Sequence, residues 1–152
     1  MRRLAALALF AATQPAAAYD ANGVALGSPE AAVTKNFPNA TCQPLQWSSR
    51  AADRRCDDRA VVGGVNGRIT FYLKDDRVQA FDLRFDTIDT QRLAAFLKGR
   101  YGAPAREDKE KLYKAEWQKD GERAVLTAQS DKRRGFFTVS RGDFEEEIYR
   151  LR

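Results

Sequence analysis

The chain has 152 residues, of which 43% are hydrophobic and 31% charged, and its formal charge is +5. These proportions describe one small globular unit or two very small ones, and they exclude a fibrous, disordered or multi-span membrane protein. The sequence has two cysteines and no histidine, which excludes Ser-His-Asp and Cys-His nucleophile systems and every zinc site that needs an imidazole.

The first 18 residues show the three regions of a secretory leader peptide. Arg2-Arg3 precedes a small apolar run, Leu4 to Ala12, and Ala16 and Ala18 occupy the small-residue positions of an A-x-A cleavage motif. The apolar run is far shorter than the roughly 20 residues that cross a bilayer. We therefore expect a leader that is cleaved after Ala18, and a periplasmic or secreted mature chain, residues 19–152.

The first half of the chain, about residues 19–86, begins with the signals of a short helix. Ser28 is the expected N-cap, with Pro29 at the first helical position. The helix must end at Phe37-Pro38, because proline disfavours helical geometry in the residue before it. The sequence therefore predicts a short helix.

Cys42 and Cys56 form an isolated pair separated by 13 residues. In an exported chain such a pair is most simply a structural disulfide. A redox role would require a C-x-x-C spacing, which this pair lacks. The bridge is expected to close an arginine-rich loop, and a loop of this size contributes on the order of 3 kcal/mol by the chain-entropy model.

A β-hairpin is predicted after the cysteine pair. Arg68 to Leu73 alternates apolar and polar residues, and Asp75-Asp76 then turns the chain. The return strand runs from about Arg77 to Phe85, again with one apolar face. Such alternation indicates a sheet with one buried face.

The second half, about residues 87–152, repeats this order of elements. A helix is predicted from about Asp89 to Tyr101, and Gly102 followed by Pro104 ends it. Further along the chain, the sequence predicts three strands and a short terminal helix: Tyr113 to Trp117, Arg123 to Ala128, Phe136 to Arg141, and Asp143 to Arg152.

Each half alone is too small to bury enough surface for comfortable stability. We therefore predict the α+β class, with two short helix-plus-antiparallel-strand units packed as one domain and the helices on one face of an antiparallel sheet. Residues 19–152 would form this single domain. Whether the two halves share one continuous sheet stays open.

Several short motifs carry a resemblance to a known group. They are the opening G-V-x-L-G-S-P-E-x-x-V at 23–33, the paired cysteines, Arg100-Tyr101-Gly102-Ala103-Pro104, and the aromatic strand with Trp117. These look like small Gram-negative envelope proteins of the BamE-like and β-lactamase-inhibitor-protein-like (BLIP-like) group. The resemblance covers most of the mature chain. It implies helices on antiparallel strands, and a non-catalytic periplasmic protein that binds another protein or stabilises an envelope complex.

This chain lacks the lipidated cysteine that follows the leader in BamE-like lipoproteins. A stable membrane anchor is therefore not expected, and no functional residue is carried over from the group. We expect no catalytic residue, no metal ion and no cofactor.

The sequence has two basic clusters, Arg50 to Arg59 and Lys132 to Arg134. Both have acidic neighbours in sequence, so pairing on a solvated surface is their simplest interpretation, with contact to an acidic partner as the alternative. The small positive surplus does not indicate nucleic acid. The expected partner is another envelope protein, and the candidate contact residues are Trp47, Arg50, Arg54, Arg55 and Tyr72.

Two other functions remain open. A small-ligand or glycan carrier would need a cavity between sheet and helices, with Trp47 or Tyr72 facing inward. A histidine-free hydrolase would need two converging carboxylates, for which Asp82 with Asp86 and Asp57 with Asp58 are candidates.

Overall fold

The computed structural model describes residues 18–141 and Phe144. The predicted leader and most of the predicted C-terminal helix lie outside these residues. The described part contains two α-helices, α1 (Glu30–Asn36) and α2 (Thr90–Tyr101), and a single 3-10 turn, Thr87–Asp89. Its ten strands are β1 (Asp20–Ala21), β2 (Val24–Ala25), β3 (Thr41–Pro44), β4 (Arg54–Val62), β5 (Val65–Lys74), β6 (Arg77–Asp86), β7 (Arg106–Asp108), β8 (Leu112–Lys119), β9 (Glu122–Gln129) and β10 (Arg134–Arg141).

Eight of these strands form one antiparallel sheet in the order β3-β4-β5-β6-β10-β9-β8-β7, and β1 pairs with β2 in a separate two-stranded sheet. Four sequential strands from each half form a meander. The two meanders join where β6 pairs with β10, with Phe81 opposite Val139 and Phe85 opposite Gly135. The two halves therefore share one continuous sheet.

The predicted fold class is wrong. Strands hold 51% of the described residues and helices only 18%, and the eight-stranded sheet dominates the molecule in place of helix-plus-strand units with helices covering a sheet face. The main cause is Arg54–Val62, for which the sequence analysis predicted no strand. Its arginines and aspartates obscure the apolar alternation that usually indicates a strand, although Cys56, Ala60 and Val62 follow the required period of two.

The main core lies against one side of the sheet, which we call the inner face. It is built from alternate residues of the central strands together with residues of both helices, among them Val33, Ile69, Phe71, Phe81, Leu93, Leu97, Leu126 and Phe137. The intervening strand positions form the outer face. A smaller buried cluster there contains Ala52, Tyr72, Ala80 and Phe144.

The N-terminus of α1 differs from the predicted capping. Pro29 is the N-cap residue and offers no side-chain hydrogen bond. The Ser28 Oγ instead accepts from the Ala25 amide at 3.2 Å. The first helical amide, of Glu30, donates to the Asp76 carboxylate at 3.1 Å. The helix is therefore capped by the β5–β6 turn, a contact between segments 46 residues apart.

The predicted disulfide is confirmed, since Cys42 and Cys56 are bonded. The two residues are also direct register partners on β3 and β4. Cys56 is fully buried in the main core. The bridge therefore fastens the short edge strand β3 to the sheet.

Candidate functional site

Three of the predicted contact residues come together at one end of the outer face. Arg55 and Tyr72 are register partners on β4 and β5. The Arg55 guanidinium carbon lies 5.9 Å from the Tyr72 ring centroid and 6.0 Å from that of Trp47. The guanidinium group thus contacts two aromatic rings at cation–π distance.

Arg55 is also bound to a carboxylate. Its Nε and Nη2 donate to Asp57 at 2.7 and 2.5 Å, and the Thr70 hydroxyl donates to the same carboxylate at 2.7 Å. Burial raises the pKa of Asp57, but the hydrogen bonds from Arg55 and Thr70 outweigh that effect and hold the pKa below its ordinary value. This arrangement fixes Arg55 in the sheet.

The five predicted contact residues differ in whether they bind within the protein or are exposed. Arg54 forms a two-point ion pair with Glu30 of α1, at 2.7 and 3.1 Å. Tyr72 is buried, 3% exposed, and packs against Phe144 with ring centroids 6.1 Å apart. Arg50 and Trp47 are exposed. Within the predicted set, therefore, Trp47 and Arg50 are the two that present an exposed side chain to a partner.

The predicted carboxylate pairs are spread along the strands. Asp57 and Asp58 are adjacent in β4, so their side chains lie on opposite faces of the sheet. Asp82 accepts from the Thr138 hydroxyl at 2.7 Å in the interior of β6. Asp86 lies four residues further on and accepts from the Ile88 amide. Neither pair is brought together in a common cleft.

A row of arginines, which was not predicted as a unit from the sequence, crosses the outer face. Arg59 lies opposite Arg68, and Arg68 lies opposite Arg84, on β4, β5 and β6. We call these three residues the arginine row. Direct cross-strand neighbours have Cβ atoms about 5 Å apart, and like charges at this spacing destabilise a sheet. None of the residues that the structure describes forms a salt bridge with any of the three.

The same line of register continues into the second half of the sheet. Arg84 lies opposite Phe136 on β10, and Phe136 lies opposite Thr127 on β9. At this point the outer face has an open cavity of about 470 Å³. We call it the basic groove, and it is lined by Leu112, Lys114, Thr127, Ala128, Gln129, Lys132, Arg134 and Phe136. The groove combines apolar side chains with three cationic groups.

Acidic side chains occupy the cross-strand row next to the arginine row, and other residues of the protein bind them. Glu116 is buried, accepts from Arg123 and pairs with Lys114 at 3.3 Å. Burial raises the pKa of Glu116, but Arg123 and Lys114 together lower it below its ordinary value. Asp57 is bound to Arg55 and Thr70, and Arg68 also helps to lower the pKa of this carboxyl, but none of the described acids forms a salt bridge with the arginine row.

The sequence did contain the signals for this surface. Arg68 and Arg84 occupy outward positions of alternating segments, and the tight turn after Lys74 fixes the register of their two strands. Arg59 lies in a segment whose alternation is obscured by charged residues. The register between β6 and β10 has no local signal, because those strands are joined through the whole second half of the chain. Sequence reasoning could therefore find the arginines but not the groove that continues their line.

One group of potential metal ligands occurs in the described residues. The Glu30 carboxylate and the sulfurs of Cys42 and Cys56 lie within 4.8 Å of one another. The two sulfurs are bonded to each other, so neither is available as the thiolate that a metal ion requires.

No family model and no curated protein matches the chain. Among solved structures, a GTP-binding regulator from Thermotoga maritima is similar, with a TM-score of 0.43 and 13% sequence identity. The likeness covers 81% of this chain and 87% of that chain. Similarity at this level carries no functional information.

The disulfide bears on the compartment. Cys42 and Cys56 are oxidised to a disulfide, which is typical of proteins outside the cytosol. In residues 18–141 and at Phe144, no helix has the length and apolarity needed to cross a membrane.

Proposed function

We propose that the protein is a non-catalytic binding module of the Gram-negative envelope, related to the BamE-like and BLIP-like group, which binds an acidic segment of another envelope protein. The segment would lie along the arginine row and place apolar side chains in the basic groove. Export to the periplasm and removal of the leader after Ala18 belong to this proposal.

The arginine row is the observation that carries the proposal. Three arginines lie directly opposite one another on adjacent strands, an arrangement of like charges that is unfavourable in a sheet, and none of them forms a salt bridge with a described residue. The attraction between Arg68 and Asp57, which helps to lower the pKa of that carboxyl, offsets only part of this cost. Carboxylates of a partner would relieve it and would form the charge-assisted, two-point hydrogen bonds that arginine favours. Binding of a partner would thus offset the free-energy cost of the row.

The basic groove supports a protein partner in particular. Leu112 and Phe136 supply apolar surface beside Lys114, Lys132 and Arg134. An acidic segment that also has one or two large apolar residues would match both features. Protein interfaces commonly combine an apolar centre with a charged rim in this way.

The proposal can be tested by site-specific photo-crosslinking. Gln129 is exposed and lines the basic groove, so a photoreactive residue there should crosslink the partner in the producing bacterium. Mass spectrometry should place the crosslink in an acidic peptide. A crosslink found only to lipid or nucleic acid would overturn the proposal.

A synthetic peptide with the crosslinked sequence then allows binding to be measured by fluorescence anisotropy. The variant Arg59→Gln/Arg68→Gln/Arg84→Gln should bind at least tenfold more weakly than the unmodified protein. A matched control, Lys35→Gln/Arg92→Gln/Arg106→Gln, removes the same charge from exposed sites elsewhere. Equal loss in both variants would mean that the net charge, and not the arginine row, determines binding.

The dimensions of the basic groove favour a second candidate, a carrier of amphiphilic anions. A cavity of about 470 Å³ lies within the usual range for small-ligand sites. A fatty acid would place its chain on Leu112 and Phe136 and its carboxylate near Lys132. Saturable displacement of a fluorescent fatty acid by laurate, without any protein crosslink at Gln129, would favour this carrier over the protein-binding module.

A further inference from the structure

Glu122 is a buried carboxylate that has fewer hydrogen-bond partners than its two oxygens require. It is the first residue of β9 and is 3% exposed. Its Oε2 accepts one hydrogen bond, from the backbone amide of Ala18 at 2.8 Å. Its Oε1 is buried without any hydrogen-bond partner among the described residues. Burial of a carboxylate in this state is costly, because both oxygens lose their contact with water.

No described cation compensates this charge. Lys119 and Arg141 are the register partners of Glu122 on β8 and β10, but both are exposed, and neither forms a salt bridge with it. Glu122 therefore lacks, within the described part of the chain, the positive partner that a buried carboxylate normally has.

Tyr19 and Asp20 hold this part of the chain against Glu122. Tyr19 is 3% exposed, and its ring meets that of Tyr101 edge to face at 4.8 Å. Burial and the nearby negative charge of Glu122 both raise the pKa of Tyr19. Asp20 forms an ion pair with Arg100 of α2, and its carbonyl accepts from the Tyr101 hydroxyl at 3.3 Å. The contacts of these two residues thus fix the position of Ala18.

We infer that Glu122 is the binding site for the α-ammonium group of the processed chain, released by cleavage of one of the two peptide bonds that flank Ala18. This inference rests on the proposed export and leader removal. A leader peptidase adds water across the bond: the leader keeps the new carboxyl group, and the nitrogen of Ala18 or Tyr19 gains protons and becomes an ammonium group.

An ammonium group fits the site better than the intact peptide does. The amide of Ala18 has one N–H, whereas an α-ammonium group has three and carries a positive charge, so it can serve both oxygens of Glu122. Cleavage before Ala18 leaves the new group at the position of the Ala18 nitrogen, 2.8 Å from Oε2. Cleavage after Ala18 starts the chain at the Tyr19 nitrogen, which is within about 7 Å of Oε2 because consecutive backbone nitrogens are less than about 4 Å apart, and the freed terminus must move to close that distance. Processing would then complete the fold as well as release the protein.

The test begins with the full chain exported in a Gram-negative host. Intact-mass and N-terminal analysis should show a first residue of Ala18 or Tyr19, and any other start overturns the inference. The N-terminal peptide is then followed during acetylation by an N-hydroxysuccinimide ester. The α-amino group should react at least tenfold more slowly in the unmodified protein than in Glu122→Gln, and at an unchanged rate in the exposed control Glu110→Gln.

A second measurement decides the question if Glu122→Gln does not fold. Selective transamination removes the α-amino group of the mature protein and leaves lysines intact. The urea midpoint of the transaminated protein should fall clearly below that of the untreated one, and equal midpoints would overturn the inference. Neither measurement depends on the arginine row. A result that overturns the role of Glu122 would therefore be distinguishable from one that overturns the proposed binding function.

Discussion

Arg84 on β6 and Phe136 on β10 lie directly opposite each other across the seam that joins the two halves of the sheet. This pair connects the arginine row of the first half to the basic groove of the second. The resulting line crosses β4, β5, β6, β10 and β9, with arginines on the first three strands and the groove residues Phe136 and Thr127 on the last two. The proposed binding surface is therefore a product of the seam.

The central arginine of this row should be replaceable without loss of stability. Arg68 has an arginine on each side and no salt bridge to a described residue, and its attraction to Asp57 acts without a hydrogen bond between the two side chains. Arg68→Gln should raise the free energy of unfolding by up to about 1 kcal/mol, because like charges directly opposite each other are unfavourable. Urea unfolding in low salt measures this gain, which should shrink in 0.5 M salt as screening increases. A destabilised variant would contradict the unpaired state of the row.

Removal of the disulfide should lower stability substantially. The bond between Cys42 and Cys56 joins residues with a sequence separation of 14, so Cys42→Ser/Cys56→Ser should lose on the order of 3 kcal/mol. Urea unfolding compares the variant with the oxidised protein, and the reduced protein serves as a second reference. Hydrogen exchange should show the largest increase in β3, and an unaltered β3 would contradict its attachment by the bridge.

Replacement of two glycines by alanine should change the stability of the protein in opposite directions. A Cβ at Gly135 would lie 2.5 Å from the buried ring of Phe85, so Gly135→Ala should cost about 1–3 kcal/mol. Gly99 lies in α2 with open space around the same position, so Gly99→Ala should gain up to about 1 kcal/mol from helix propensity. Thermal unfolding of both variants tests the seam, and similar shifts of the midpoint would contradict the packing of Phe85.

Low pH should destabilise the folded protein through protonation of two carboxylates on the outer face. The pKa values of Asp57 and Glu116 lie below their ordinary values of 3.8 and 4.5 in the folded protein. Their ionised forms therefore stabilise the fold fully above those ordinary values, and this contribution is lost as the pH falls through the lowered pKa values. Unfolding midpoints should be constant from pH 6 to pH 5 and fall below about pH 4.

A double variant isolates these two groups. Asp57→Asn/Glu116→Gln should be less stable at pH 6 and should lose less stability on acidification than the unmodified protein. Glu110→Gln/Asp131→Asn, at exposed sites, serves as the control and should keep the original slope. If all three proteins show the same pH dependence, the lowered pKa values do not contribute to stability.

Local signals determined many of the elements. The helix that ends before Pro38, the hairpin turn at Asp75-Asp76, the end of α2 at Gly102 and the cysteine pairing all agree with the structure. Each depends on residues close in sequence, on a backbone preference such as the positive φ values of Asp75 and Asp76, or on the absence of alternative thiols. These constraints act before the chain is compact.

The failures have physical causes as well. Ser28 does not cap α1, because Asp76 reaches its N-terminus from the hairpin turn. Arg54–Val62 is a strand despite its charge, because β3 and β5 pair with it on both sides. Pairing and burial supplied by distant segments can override local propensity.

The sequence by itself determined the hairpin turn at Asp75-Asp76, the C-terminal ends of both helices, the disulfide and the outward positions of Arg68 and Arg84. Only the tertiary structure decided that β6 pairs with β10, that Arg84 lies opposite Phe136, and that Glu122 is buried beside Ala18. The physical reason is that strand register across the seam is set by the fit of large side chains such as Phe85 against Gly135. Such contacts exist only once segments about 50 residues apart have packed together.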